Sequence, residues 1–569
     1  MYLKVMQYKS GRTYLSIAHG YRDKAKGVST NKTIQKLGYL DELQKEYDDP
    51  IAHFKGIVAG MNEKFKEDNP PCNIAFDLGE KLQIGGESRK NMGYAVISQI
   101  YHEIGLRDFF MNRSRILDTD YNLNDVARLL IFSRILSPSS KKKTFEGKGA
   151  YFENFDFSLA DMYRSLTHFA KRAEACQKHI HERISNRNTE LVYYDVTNYY
   201  FEIDEQDELR KKGLNKEHRP DPIVQMGLFM DSEGIPISYN LFPGNTNDCE
   251  TLIPQMKDLR RDFGIGRVIV VADKGLNTAR NCYFNTHNLK NGYVFSQTVR
   301  GGHAELKEYV LAESGYREYG DEGFKIKSRI YPRELTLESA DGGTFKKRIN
   351  EKQVVFYSSD YDRKAKADRA AAVAKAQQLV KNPSLFKKAT SYGAAKYVKN
   401  LEFDPKTGEI ITTKHRPVFD EAKLREEEKW DGYYAIVTSE LSKSDDWVIE
   451  TYRGLWKIEE SFKVTKSDLQ ARPVHVSRND HIRAHFLICF IALVIVRLLQ
   501  KRLKNQFSVS NIIESLNKVS CSYLGENLYL FDYADKVTEA VSAEFGIDFS
   551  LKVRRLGDIR KILAETKKT

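Results

Sequence analysis

The sequence predicts an α/β protein with a mixed central sheet, interrupted by a β-rich insertion and preceded by a helical region. Three observations lead there. Between about residues 189 and 299, apolar, aromatic and β-branched runs alternate with helical stretches across clear turn signals. From about 300 to 445 that alternation gives way to short strands and one Ala/Lys-rich helix. From 446 the helical period returns and carries the apolar run FLICFIALVIV (486–496). A chain of 569 residues exceeds one compact domain and divides into roughly 3–4 units.

Residues 1–85 read as a basic N-terminal β arm and linker. TYLSIAHGYRD and TNKTIQKLGYL are short strands about a Lys/Gly turn, and residues 1–40 hold eight Lys/Arg against one acid, Asp23. This suits an arm that grips phosphates, and equally an edge hairpin whose lysines block further pairing. Residues 86–188 read as helical. AVISQIYHEIGL and LNDVARLLIFSRIL repeat apolar residues at 3–4 spacing, the second capped by Asn122 or Asn124 and ending before Pro138. SPSSKKKTFEGKG follows as a basic Ser-rich loop. Two helices and a basic turn suit a helix-turn-helix nucleic-acid reader, although an ordinary helical bundle is the commoner outcome of such a pair.

The first part of the core spans 189–299. LVYYDVTNYYFEI, IVQMGLFMD and IPISYNLFPG read as strands, the last two joined by MDSEGIP as a hairpin. CETLIPQMKDLRRDF is helical and leads to a buried strand at 268–272. NTARNCYFNTHNL is a helix and GYVFSQT a strand. Three meandering strands, helix, strand, helix, strand is the order of an RNase H-like fold. Residues 300–445 are expected to form a separate, basic, mainly β lobe inserted in that core. Its strands are GFKIKSRIY, RELTLES and QVVFYSS, and its helix lies around RKAKADRAAAVAKAQQLV. Residues 362–399 hold ten Lys/Arg and two acids. The last core part spans 446–505, and 506–569 reads as a C-terminal helical region.

Lys plus Arg exceed Asp plus Glu by 90 − 78 = 12, which suggests a polyanionic partner. The six cysteines, Cys72, Cys176, Cys249, Cys282, Cys489 and Cys521, form no CxxC pair. They read as reduced thiols of an intracellular protein. The N-terminus shows no apolar signal core. The eleven-residue apolar run falls short of the roughly 20 needed to span a bilayer and reads as a buried helix.

Three carboxylates stand out. Asp195 closes an apolar strand at 191–194, and Asp273 closes the strand at 268–272. Acids at the ends of adjacent strands converge on one sheet edge, as a hard cation with oxygen ligands requires. Either Asp alone is more often a turn residue. Glu459 lies in DWVIETYRGLWKIEESFKVTKSDL, which reads as one helix. There Tyr452, Glu459 and Lys466 recur at 459 − 452 = 466 − 459 = 7 residues and share a face.

With YRGLWKIEESFKVTK on the page, the chain resembles the insertion-sequence DDE transposases of the large group with an inserted β-rich domain. These are the insertion-sequence-four-like transposases, with Tyr, Arg, Glu and Lys on their last catalytic helix. Tyr452, Glu459 and Lys466 match that signature. The Arg position falls on Leu455, flanked by Arg453 and Lys457. YYDVTNYYFE, GLFMDSEGIPISYNLFPGNTND, VVADKG and ARPVHVSRNDHIRAHFLICFIAL also match, over roughly 190–500. RTYLSIAHGYRD, KLGYL and RILSPSSKKKTF look like one branch of the group. The gap of 459 − 273 = 186 residues suits an inserted domain.

The resemblance implies a DNA nuclease and strand transferase whose Asp195, Asp273 and Glu459 bind two Mg²⁺, with Mn²⁺ able to substitute. Asp195 would bridge both ions, and Asp273 and Glu459 would hold one each. Tyr452, Lys466 and either Arg453 or Lys457 would contact phosphates near the cut. The implied partners are transposon terminal repeats and target DNA, with residues 86–188 as an end-binding region. A homodimer in the DNA complex, no membrane, and a cytoplasmic, nucleoid-associated location complete the expectation. Trp430 is a candidate for base stacking, against a core role. HIHER (179–183) is weighed as a metal ligand against a solvated face. GIGRV (264–268) lacks a phosphate-loop pattern, and Asn245 and Asn247 read as turn residues. The competing readings are a non-catalytic DNA-binding descendant and a structure-selective nuclease. All three acids and the large insert favour transposition.

Overall fold

Residues 1–8, 11–23, 28–68, 79, 81, 89–117, 119–213, 221–320, 323–339, 341–381, 396–399, 402–403, 410–412 and 418–568 are described by this computed structural model. Cys72 lies outside them; the other five cysteines are free thiols. The chain divides into Met1–Gly86 and Glu87–Thr569. In the first unit, β1 (Tyr2–Gln7), β2 (Thr13–Asp23) and β3 (Val28–Tyr39) form an antiparallel sheet. Helix Pro50–Asp68 follows. Leu15, Ile17 and Ala18 of β2 are buried, as are Phe54 and Val58 of the helix. Arg12 lies 3.8 Å from the centroid of the Tyr39 ring and pairs with Asp41 and Glu42.

In the second unit, β4 (Arg89–Asn91) precedes the helical stretch. Then come β5 (Leu191–Tyr200), β6 (Ile223–Asp231), β7 (Pro236–Pro243), β8 (Ile269–Ala272) and β9 (Gly292–Gln297). The antiparallel meander β5-β6-β7 and the parallel additions β8 and β9 follow the order read from the sequence. Successive residues of β5 enter opposite cores. Tyr193 and Tyr199 join the large core shared with the helices, while Val192, Tyr194 and Val196 join the core under helix Asp248–Phe263. A sheet covered on both faces explains why its strands read as near-continuous apolar runs.

The region 300–445 is built differently from the separate lobe expected of it. β10 (Arg317–Glu318), β11 (Phe324–Glu338) and β12 (Thr344–Ser358) form part of a nine-stranded sheet. Short pairs follow, β13 (Val398–Lys399) with β16 (Val418–Phe419) and β14 (Glu402–Phe403) with β15 (Ile410–Thr412). β17 (Tyr433–Thr438) then pairs with β9, Ala435 opposite Gln297, and β12 pairs with β17. The open edge of β9 is thus satisfied by the insert's own backbone. GFKIKSRIY and RELTLES are one strand, β11, running through Pro332. At Pro332 β11 pairs only with β12, opposite Asn350, so the proline sits on an edge of the sheet, where prolines in strands are tolerated. A buried network ties hairpin to core: the Tyr293 hydroxyl of β9 donates to Glu351, and Arg333 Nη1 donates to the same oxygen at 3.0 Å.

Other expectations also change. The basic Ser-rich loop is a helix, Lys141–Glu146, capped by the Ser140 hydroxyl, and Lys141 is buried. Helix Leu123–Leu136, capped by Asn122, is buried along almost its whole length. It is therefore a bundle-core helix and has no face to lay in a DNA groove. The apolar run belongs to helix Asn479–Arg502, long enough to span a membrane but mostly buried within the protein. The C-terminal region is not purely helical. β18 (Ser520–Gly525), β19 (Leu528–Phe531) and β20 (Val553–Arg555) form a four-stranded sheet with β4. The turn between β18 and β19 places Glu526 and Asn527 at φ 48° and 60°, the backbone a two-residue hairpin turn demands.

The Glu351 network yields a prediction. Glu351→Ala leaves the Tyr293 hydroxyl and the Arg333 guanidinium without their acceptor, and should cost about 3 kcal/mol in urea unfolding. A loss below about 1 kcal/mol, the range of an exposed pair, would mean the network does not anchor the hairpin.

Candidate active site

The site is built outward from β5 and β8. They run parallel with Leu191 opposite Ile269 and Tyr193 opposite Val271. Asp195 and Asp273 stand two residues further on, each beyond the last paired couple. Tyr193 and Val271 both face the large helical core, so the two-residue period sends both aspartates toward that side. Asp195 does not end its strand, as its sequence context suggested. β5 continues to Tyr200 against β6. It loses β8 at Asp195, because β8 stops at Ala272.

Asp273 accepts hydrogen bonds from Ser296 Oγ at 2.6 Å and from the Tyr452 hydroxyl at 3.2 Å. Burial opposes its ionisation, but Ser296, the backbone N–H and charge of Lys274, and Tyr452 outweigh it. The carboxyl is held below its ordinary value. Burial, then the neighbouring Tyr434 and Asp273, push the Tyr452 phenol far up, so it stays a proton donor. The Tyr452 and Tyr434 hydroxyls lie 2.9 Å apart. Ser296 and Tyr434 were not singled out in the sequence. The one available signal was a serine inside the apolar strand GYVFSQ.

Tyr452 and Glu459 do not share one continuous helix. Helices Asp445–Arg453 and Trp456–Lys466 are separated at Gly454 and Leu455. A Cβ at Gly454 would collide with the Tyr193 hydroxyl, so the chain passes β5 only as glycine. Trp456–Lys466 is pinned to β5 at both ends. Lys457 Nζ donates to the Ser232 carbonyl at 2.6 Å and lies 5.4 Å from the Tyr193 ring centroid. Lys466 Nζ donates to Thr197 Oγ1 at 2.7 Å and lies 5.5 Å from the Tyr199 ring. These anchors bracket Asp195 on the strand and Glu459 on the helix, and Glu459 is exposed. Leu455 is buried at 6% exposure. Arg453 is exposed and pairs with Glu450 at 2.7 Å.

Carboxylates within β5, at the end of the adjacent β8 and on the helix anchored across β5, one of them held ionised, have the oxygen chemistry a hard divalent cation takes. The gathering is incomplete: among the described residues no three His, Cys, Asp or Glu side chains form a ready metal-holding group. The fold aligns the three elements without closing the three carboxylates on one point. HIHER contributes no ligand set either. His179 Nε2 bonds the Gly105 carbonyl at 2.8 Å, and burial lowers the His181 pKa to about 4. Asn247 takes the N-cap position of helix Asp248–Phe263, and Gly264 its left-handed C-cap.

A cavity of about 370 Å³ opens beside Asp273, lined by Lys274, Ser296, Arg300, Lys364, Trp430 and Tyr434 among others. Trp430 is only 8% exposed and packs with Val299, Leu306, Val310, Val355 and Ala435. It is a core tryptophan that borders the cavity, rather than an open stacking platform.

Two family models match the chain. Residues 3–72 match the N-terminal domain of IS1634 family transposases. Residues 339–495 match the transposase DDE domain, a span that includes Tyr452, Glu459 and Lys466 but neither aspartate. No curated protein matches. Among solved structures, the piggyBac transposase synaptic complex with hairpin DNA aligns at TM-score 0.37 and 8% identity, over 84% of this chain and 85% of that one. The Mos1 transposase paired-end complex with left transposon end aligns at TM-score 0.14 and 14% identity, over 45% and 69%.

The contact at Gly454 is testable. Gly454→Ala should cost about 1–3 kcal/mol by overpacking, read from urea unfolding. Combined with Tyr193→Leu, which opens the space, the total should fall short of the sum of the single losses. Strict additivity would show that Tyr193 does not impose the glycine.

Proposed function

The chain is an insertion-sequence DDE transposase, and from that premise we propose that Asp195, Asp273 and Glu459 are its catalytic carboxylates. The observation that supports this reading is the in-register placement of Asp195 and Asp273 on β5 and β8, with the Glu459 helix anchored across β5. Two divalent ions, Mg²⁺ or Mn²⁺, when bound would supply Lewis-acid stabilisation and lower the pKa of a bound water. Asp195, Asp273 and Glu459 would hold them.

The protein's own groups do the rest. Ser296 and Tyr452 fix the Asp273 carboxylate and keep it ionised. Lys466, a compact charge beside Thr197, holds a phosphate of the strand being cut. Lys457, half-buried against Tyr193, takes the signature Arg's role more readily than Arg453, which faces solvent with Glu450. The remainder of 446–505 completes the core, and the basic insert lies along the DNA. Water bonds to the phosphorus at the transposon end as the P–O3′ bond breaks, leaving a 3′-OH on one side and a 5′-phosphate on the other. That hydroxyl then attacks a target phosphodiester, forming one P–O bond as another breaks. The partners are terminal-repeat and target DNA inside the cell, engaged by a homodimer.

Cleavage of an end-containing fragment should stop on chelation with EDTA and return with Mg²⁺ or Mn²⁺; undiminished cutting in EDTA would sink the metal assignment. Asp195→Asn or Glu459→Ala should lower cleavage by about 100-fold or more while leaving the gel shift near that of the parent. Affinity comes from many phosphate contacts, to which carboxylates add nothing. Lys466→Ala should weaken both. Normal cutting by the Glu459→Ala protein is the outcome that removes Glu459 from the site.

A further inference from the structure

A second, much smaller cavity of about 40 Å³ lies where the segment after the Glu459 helix meets helix Lys141–Glu146. Its lining includes Arg134, Lys141, Arg472, His475 and His485 and no carboxylate. Arg134 and Lys141 are 5% and 4% exposed, and among the described residues neither is paired with an acid. Arg134 gives its Nη groups to the carbonyls of Leu469, Gln470 and Ser139 at 3.1–3.2 Å, while its Nε is buried with no partner. Lys141 Nζ has His485 Nδ1 at 3.4 Å. His485 Nε2 faces the Ala471 carbonyl at 2.9 Å; a carbonyl only accepts, so Nε2 carries the proton and Nδ1 presents a lone pair to the lysine.

Two buried cations with no counter-charge are expensive. Burial, then Arg134, pull the Lys141 ammonium down to about 7. The volume exceeds the ~10–15 Å³ one water needs, and every charged side chain in the lining is a cation.

We propose that Arg134, Lys141 and Arg472, with His475 beside them, form a receptor for one phosphate-class oxyanion, either a non-reacting DNA backbone phosphate or free inorganic phosphate. Arg472 lies 5.4 Å from the ring centroid of Tyr200, which is 200 − 195 = 5 residues along β5 from Asp195. That is about 16 Å of strand, or some five base-pair steps of duplex at about 3.4 Å each. The DNA source rests on the transposase reading; the free-phosphate source does not.

The test uses the full chain and two variants, Lys141→Met and Arg472→Gln, the second on a half-exposed side chain that folding tolerates. Melting is compared in sodium phosphate and in sodium chloride of equal ionic strength. Binding to a random-sequence duplex is measured against salt. A DNA phosphate predicts that the slope of log K against log salt falls by about 0.9 in each variant, whether or not free phosphate also raises the parent's melting temperature. A free oxyanion predicts a phosphate-specific rise of several degrees in the parent, absent from the variants, with the salt slope unchanged. Equal melting in the two salts together with an unchanged slope overturns the receptor. A parent that binds no duplex at all sinks the transposase reading, while the melting comparison still decides this one.

Discussion

The parallel pairing of β5 with β8 is the constraint on which the site depends. A strand's side chains alternate strictly, so a one-residue slip would turn Asp195 to the other face of the sheet. Burial of both faces prevents this, since Val192 and Tyr193 belong to different cores and cannot exchange. Tyr193 does two further things from its fixed place. Its hydroxyl demands glycine at 454, and its ring lies beneath Lys457. The position of the Glu459 helix thus follows from a residue two places before Asp195.

The core was largely legible in the sequence because its information is local. An acid closing an apolar run marks Asp273, and the order of runs describes the meander and the parallel strands. What was not legible depends on partners far along the chain. The break at Gly454 is imposed by Tyr193, 454 − 193 = 261 residues away, so the 3.6-residue pattern runs through it unmarked. Ser296 and Tyr434 matter only because Asp273 and Tyr452 reach them. The attachment of β10–β12 and β17 to the central sheet is made by backbone groups, which side-chain pattern does not encode. Trp430 shows the converse: its neighbours in sequence are polar, yet Val355 and Leu306 bury it.

The positive surplus of the chain is not spread as a uniform coat. Several of its cations are spent inside the fold: Arg369 on Asp431, Arg128 on Glu153, Arg187 on Asp231. Such pairs add little net stability over an apolar replacement, but losing one partner is costly, so they make the arrangement specific. Arg12, in a segment that looked like a free basic arm, is likewise held by Asp41 and Glu42. Charge counted along the sequence therefore overstates the charge available to a polyanion, and position decides which lysines and arginines remain to meet one.

The closure of β9 by β17 also bears on when the central sheet can be completed. Ala435 reaches Gln297 across 435 − 297 = 138 residues, and contacts of such long range form late in folding. A ribosome that has delivered both aspartates has not yet delivered the strand that seals the sheet or the helix that carries Glu459. A nascent chain that has just passed Gln297 therefore holds Asp195 and Asp273 in an unfinished sheet. Asp195, Asp273 and Glu459 can therefore stand in one fold only once synthesis has passed residues 300–445.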